Sequence, residues 1–165
     1  MSDVQYLTPE GMKQLEARLQ DLVEVRRAQV AERLRLALEE GGDLTENAEY
    51  EDAKNEQAFI EGEIQRLEQI LSSAQLIEQP KGKRDTVVLG SMITVLEKGS
   101  KEKEIYHLVG SAEANPREGK ISSESPLGKA LLGAKVNDKV TAKVNDKVTV
   151  HAPDGELVFV IKGIA

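Results

Sequence analysis

The sequence predicts an α+β fold in two domains, an N-terminal antiparallel α-helical coiled-coil hairpin followed by a small α+β domain. Three observations lead there. Apolar residues recur at steps of three and four through residues 12–74, a Pro-, Gly- and charge-rich stretch interrupts them at 79–84, and period-two alternation follows. The division assigns residues 1–78 to the hairpin, 79–84 to a linker and 85–165 to the globular domain.

Thr8, Pro9 and Glu10 form a start signal for the first helix: an N-cap hydroxyl, a proline at the first helical position and an acid at the positive end of the dipole. Met12, Leu15, Leu19 and Leu22 make an apolar stripe that shifts at Val23 and Val25 and resumes at Val30, Leu34, Ala37 and Leu38. A stripe this narrow is a coiled-coil seam. Gly41 and Gly42 end the helix, and a second stripe runs through Ala53, Phe59 or Ile60, Ile64, Leu67, Ile70 or Leu71, and Ala74. Each arm of about 30 residues would reach on the order of 45 Å, so the hairpin is expected to protrude with its bend at 41–50 remote.

Beyond the linker, residues 91–97 and 102–109 read as strands joined by a turn at 98–101. Residues 110–119 read as loop, 121–123 as a short strand and 126–132 as a short helix closed by Gly133. Val148, Thr149 and Val150, a turn at Pro153, Asp154 and Gly155, and residues 156–161 read as a final hairpin. Within this region residues 134–141 and 142–149 are the same octapeptide, AKVNDKVT, in immediate succession. The second copy can lengthen a hairpin or bulge out as a loop, and Asn137-Asp138 and Asn145-Asp146 offer competing turns.

Composition narrows the function. There is no cysteine, so disulfides and thiolate metal sites are excluded, and two histidines, His107 and His151, are too few and too isolated for a zinc site. With no Trp, two Phe and three Tyr, a deep aromatic small-molecule pocket is not expected. The start lacks a signal peptide and no run of 18 apolar residues occurs, which predicts a cytoplasmic protein without membrane contact. Residues 1–78 carry 8 Lys+Arg against 18 Asp+Glu, whereas 79–165 carry 14 against 11. An arm so acidic is repelled by phosphates and argues against general nucleic-acid binding. Arg26, Arg27, Arg33 and Arg35 with Lys54 are either the solvated face of the coiled coil or a patch for a single RNA strand.

The bend holds the candidate chemistry. Asp43 and Glu46, three apart, have the spacing of a capping box, with Glu49, Glu51 and Asp52 complementing the helix dipole. They equally suit delivery of carboxylate ligands to a site on another molecule, because two carboxylates cannot close a six-oxygen Mg²⁺ cage alone. Ser122, Ser123 and Ser125 have no obvious base, and no phosphate-binding glycine loop occurs.

Leu7-Thr8-Pro9-Glu10-Gly11, the stretch from Gly42 through Asp43-Leu44-Thr45-Glu46-Asn47-Ala48-Glu49-Tyr50, and Ser122 to Gly133 (SSESPLGKALLG) resemble the bacterial transcript-cleavage (Gre) factor family, in its GreA branch. The resemblance covers nearly the whole chain. It implies a coiled-coil hairpin followed by a globular domain similar to FK506-binding proteins, acting as a monomer in free form on bacterial RNA polymerase. The second domain would grip the rim of the secondary channel through Ser125 and Pro126. The hairpin would reach the nascent RNA 3′ end of a backtracked complex, with Leu44, Asn47, Glu49 and Tyr50 as tip contacts. Asp43 and Glu46 match the family's acidic pair and would support a second Mg²⁺, held mainly by the polymerase, so that the polymerase cuts its own RNA and this chain is no enzyme alone. An inhibitory paralogue in the same channel would differ at the tip, and a prolyl isomerase needs clustered aromatics where this domain has only Tyr106 and Phe159. A purely structural adaptor leaves the tip unexplained. Two features depart from the family pattern: the Gly41-Gly42 pair and the octapeptide repeat.

Overall fold

The structure, a computed structural model, describes residues 4–41, 47–78, 81–143 and 156–165. Asp43, Leu44, Glu46, Gln79, Pro80, His151, most of the second octapeptide and the turn expected at 153–155 lie outside the described residues. The chain divides into two compact units, Met1–Asp3 with Glu10–Ala74, and Val4–Pro9 with Gln75–Ala165.

In the first unit one helical run consists of α1 (Pro9–Asp21), a π-helical turn (Leu22–Arg26) and α2 (Arg27–Glu39). It pairs in a hairpin with α3 (Ala48–Ser72). Leu22, Val30, Ala53, Ile60, Ile64 and Leu67 form the core, with Leu15, Leu19 and Leu34 half-buried against it. Full burial of each large aliphatic side chain contributes about 1.5–3 kcal/mol, so this line of residues supplies most of the hairpin's cohesion. Ile60, 4% exposed, is the seam residue, and Phe59, 70% exposed, is not.

The π turn explains the shift in the first stripe. Seam residues 15, 19, 22, 30, 34 and 37 are separated by 4, 3, 8, 4 and 3 positions, one residue more than a heptad in the middle. At about 100° per residue an eight-residue α-helical step would rotate Val30 roughly 80° off the line. A π turn closes with a bond from residue i+5 to residue i and so absorbs one residue. Here the Arg27 N–H donates to the Leu22 carbonyl, which brings Val30 back to the seam and leaves Val23 and Val25 exposed.

In the second unit, β1 (Gln5–Leu7) pairs with β2 (Ala74–Leu76), and the Ile77 N–H extends the ribbon to the Leu7 carbonyl at 2.7 Å. Three-residue runs show no period, so these strands were not legible in the sequence. Gly110 lies against β1 so closely that a Cβ there would meet the Tyr6 carbonyl oxygen at 2.0 Å. Thr8 donates twice to the buried Glu113 carboxylate, from its N–H to Oε2 at 2.9 Å and from its hydroxyl to Oε1 at 2.6 Å. Two donors and Lys120 Nζ at 3.9 Å offset the cost of taking that carboxylate out of water.

The main sheet comprises β3 (Met92–Glu97), β4 (Lys103–Val109), β5 (Lys120–Ser122), β6 (Lys139–Lys143) and β7 (Glu156–Ile164) in the order β5-β4-β3-β7-β6. All neighbours are antiparallel except β4 and β5. Ile93, Val95, Leu108, Val140, Phe159, Ile161 and Ile164 face a core completed by Val87 and by Leu131 of α4 (Pro126–Leu131). The α+β class and the two-part organisation agree with the sequence expectation, and the strands and helix at 91–132 differ from it by a residue or so at their ends. On its outer side β7 pairs with β6, with Val140 opposite Phe159, while residues 148–150, expected as a strand beside 156–161, lie outside the described residues. Tyr106 and Phe159 pack edge to face at 5.9 Å, and Phe159 is buried in the core, so both aromatics of residues 75–165 are engaged in packing.

Deleting Val25 shortens the central step to seven, and the hairpin is expected to keep its seam on a continuous α-helix with a stability change within about 1 kcal/mol. Inserting one alanine at the same place should instead rotate the seam and cost several-fold more. Urea unfolding of both variants checks this, and equal losses would show that the π turn does not set the phase.

Candidate functional site at the hairpin bend

Both edges of the bend are built from the backbone outward. At the end of α2 the Glu40 N–H donates to the Leu36 carbonyl at 3.1 Å, and Gly41 then takes a left-handed φ of +71°. Nothing lies within 4 Å of a Cβ placed at Gly41, so backbone conformation and not crowding selects glycine. Gly42 lies outside the described residues.

Asn47 forms the other edge and uses both ends of its amide. Its Oδ1 accepts from the Tyr50 N–H at 3.1 Å, capping α3, while its Nδ2 donates to the Ala37 carbonyl of α2 at 3.1 Å. One side chain therefore starts the second helix and ties it to the first. This corrects the capping-box assignment: α3 begins at Ala48 with Asn47 as its cap, so neither Asp43 nor Glu46 occupies the N-cap position. Asp43 and Glu46 lie between Gly41 and Asn47 in the sequence, outside the described residues.

The expected tip contacts Glu49 and Tyr50 lie on the first turn of α3 and are engaged locally. Arg33 reaches Glu49 at 2.8 Å, Asp52 at 2.9 Å and Glu56. Residues 49, 52 and 56 share one helix face, which is why one guanidinium meets all three. Its hydrogen bonds to Asp52 and Glu49 raise the Arg33 pKa still further above its ordinary value. Lys54 Nζ lies 5.3 Å from the centroid of the Tyr50 ring, a cation–π distance.

The other arginines are similarly committed. Arg35 pairs with Glu32 and Glu39, and Arg27 grips Glu61 through two bonds of 2.7 Å. Arg26 lies 3.9 Å from Asp21. Of the two readings of these residues, the solvated and ion-paired face is the one observed, and no open basic patch is formed by Arg27, Arg33 and Arg35. Among the described residues no group of three His, Asp or Glu side chains could hold a metal. No helix among them is long and apolar enough to cross a membrane.

Ser125 and Pro126, expected to meet a partner, lie at the start of α4. The Ser125 hydroxyl accepts from the Gly128 N–H at 3.0 Å and donates to the Ser122 carbonyl at 2.7 Å, while Pro126 begins the helix and is exposed. Gly128 is required for that turn because a Cβ would meet the Ser122 oxygen at 1.9 Å. Arg33 as a hub and Asn47 as a tie between helices were missed in the sequence. The spacing of Glu49, Asp52 and Glu56 was the available signal for an acidic face, but its partner sits on the other arm.

Two outcomes follow from this geometry. Asn47→Ala is expected to destabilise the hairpin by about 1–2 kcal/mol in urea unfolding, and Asn47→Asp by less, since it keeps the cap and loses only the bond to Ala37. The Glu61 carboxyl is held below its ordinary pKa first by its hydrogen bonds from Arg27. Its stabilising contribution is therefore complete above the unfolded-state pKa and is lost as pH falls through the lower folded-state value. Arg27→Ala should move the Glu61 midpoint upward in a ¹³C carboxyl titration.

Family models match the chain in both halves. The family model for the N-terminal domain of transcription elongation factors matches residues 5–76, and that for the C-terminal domain of GreA/GreB elongation factors matches residues 80–145. The transcription elongation factor GreA of Acetivibrio thermocellus is 47% identical over 158 residues, 96% of this chain and 94% of the relative. That of Chloroflexus aggregans is 46% identical over 156 residues, 94% of each chain. A solved structure of GreA factor homolog 1 (Gfh1) from Thermus thermophilus is 31% identical, spans 98% of this chain and 99% of its own, and superposes with a TM-score of 0.42. With both domain models matched in order and such identity over nearly its whole length, the chain belongs to the GreA/GreB family of transcription elongation factors.

Proposed function

We propose that this chain binds bacterial RNA polymerase, reaches through its secondary channel with the helical hairpin, and stimulates the polymerase to cleave backtracked nascent RNA. The observation that carries the reading is family membership across both halves, with an acidic pair at 43 and 46 inside the matched N-terminal region. Asp43 and Glu46 are hard oxygen donors of the kind Mg²⁺ takes, and Mg²⁺ commonly fills the rest of its shell with water and phosphate oxygens. Their chemistry thus fits a shared ion and not a cage closed by this chain. When bound, Mg²⁺ supplies Lewis-acid stabilisation of the charge that builds on a phosphate during hydrolysis.

The chain's own part in this reading is positioning. Gly41 turns the backbone out of α2, Asn47 fixes the start of α3 to α2, and the acidic pair is carried between them. Arg33 offsets the charges of Glu49, Asp52 and Glu56, which reduces the repulsion that an acidic hairpin would otherwise meet beside RNA phosphates. Ser125 and Pro126 are the proposed contact with the rim of the channel. The catalytic machinery stays in the polymerase, and the hairpin acts as a cofactor to it.

Transcript cleavage in stalled elongation complexes tests the reading. Asp43→Ala and Glu46→Ala should each lower stimulated cleavage by about 100-fold or more while binding to the polymerase persists. Normal cleavage by both variants would sink the proposal.

A further inference from the structure

The side of the second-unit sheet that faces away from its core is apolar where an open sheet face is ordinarily polar. Ile93 and Val95 of β3, Leu108 of β4, and Phe159 and Ile161 of β7 point into the core, so strand alternation turns Met92, Leu96, Ile105, Val158 and Val160 to the opposite side. Ile105 is 59% and Met92 43% exposed, while Leu96, Val158 and Val160 are half-buried. Between the last three lies a shallow cup of about 270 Å³, bordered by Lys98 and Lys139. We propose that this face binds an acidic protein segment in extended conformation, with one large apolar side chain in the cup and a carboxylate two residues to either side, each meeting a lysine.

Strand register fixes the spacing. Lys103 lies opposite Leu96, Leu96 opposite Val160, and Val160 opposite Lys139. They make one row across β4, β3, β7 and β6, with a lysine at each end and two apolar residues between. Neighbouring strands lie about 4.8 Å apart, so the row is about 14 Å long. In an extended chain rising about 3.4 Å per residue, side chains at i, i+2 and i+4 share one face and span about the same distance. Acid, apolar and acid at those three positions therefore match Lys103, the cup and Lys139.

Charge and size select this occupant. Lys98, Lys103 and Lys139 are exposed, and none of them is ion-paired with a described residue. Glu97 also borders the cup, but alternation points it inward, opposite Phe159. Asp138, next to Lys139, accepts from the Lys135 N–H at 2.8 Å. Lysines at both ends of the row attract carboxylates and repel a basic segment. The cup is smaller than the roughly 300–1,000 Å³ of small-molecule pockets and suits a single side chain. A nucleic acid strand fits less well, because Tyr106 and Phe159 pack against each other on the inner side and leave no outward aromatic of residues 81–165 on which a base could stack.

Titration of the ¹⁵N-labelled full chain tests the proposal. The probe is a capped nonapeptide with leucine at its centre, glutamate two residues to each side and serine elsewhere. Saturable shifts are expected at the amide signals of Leu96, Val158 and Val160. The dissociation constant should rise by about tenfold or more when the leucine becomes serine, when both glutamates become glutamine, or when the chain carries Lys103→Glu together with Lys139→Glu. Both lysines are exposed, so the double variant should keep the amide spectrum of the folded chain elsewhere. Absence of saturable shifts, or equal binding of the glutamine peptide, would overturn the proposal. Saturation of the same signals by a single-stranded oligouridine at lower concentration than the peptide would assign the face to nucleic acid and overturn it as well.

Discussion

Rotational phase along one narrow apolar line is the constraint from which the first unit follows. A hairpin of two helices has no second layer to correct an error, so every seam residue must return to the same side of its helix. Leu15, Leu19 and Leu22 set that side, and Val30, Leu34 and Ala37 keep it only because the π turn at Leu22–Arg26 absorbs a residue. The exposed Val23 and Val25 are the local consequence. On the flanks, Arg27 to Glu61 and Arg33 to its three carboxylates pair the arms, adding alignment to a line whose cohesion comes from burial.

The bend inherits its boundaries from that alignment. Asn47 can bond to the Ala37 carbonyl only if α2 and α3 end in step, and Ala37 is itself a buried seam residue. The same side chain caps α3, which frees the acidic pair from the capping role that its spacing suggested.

The second unit is held by close backbone approaches as much as by its core. Gly110 admits the Tyr6 carbonyl and Gly128 admits the Ser122 carbonyl, each at a distance that excludes any side chain. Thr8 and Glu113, 105 residues apart, satisfy each other in a buried setting, so the first strand is fastened to a domain otherwise formed by the end of the chain. Its sheet is well specified at β3, β4 and β7, where neighbours lie on both sides. β6 lies at one edge of the sheet, in one register against β7, and overlaps the repeated octapeptide in sequence.

Periodicity in the sequence determined the helical arms, the strands at 91–109, the short helix at 126 and the change of architecture between the halves, because each depends on local patterns longer than a turn. Residue spacing also marked the acidic bend and the glycine that ends α2. Tertiary structure alone decided that Ile60 and not Phe59 enters the seam, that Asn47 is the cap, and that three arginines are neutralised by carboxylates, two of them across the hairpin. It likewise decided that residues 4–9 belong with residues 75–165 and that residues 139–143 lie beside β7. The physical reason is common to all of these: each is a choice between locally equivalent alternatives, and only a partner distant in the chain breaks the tie.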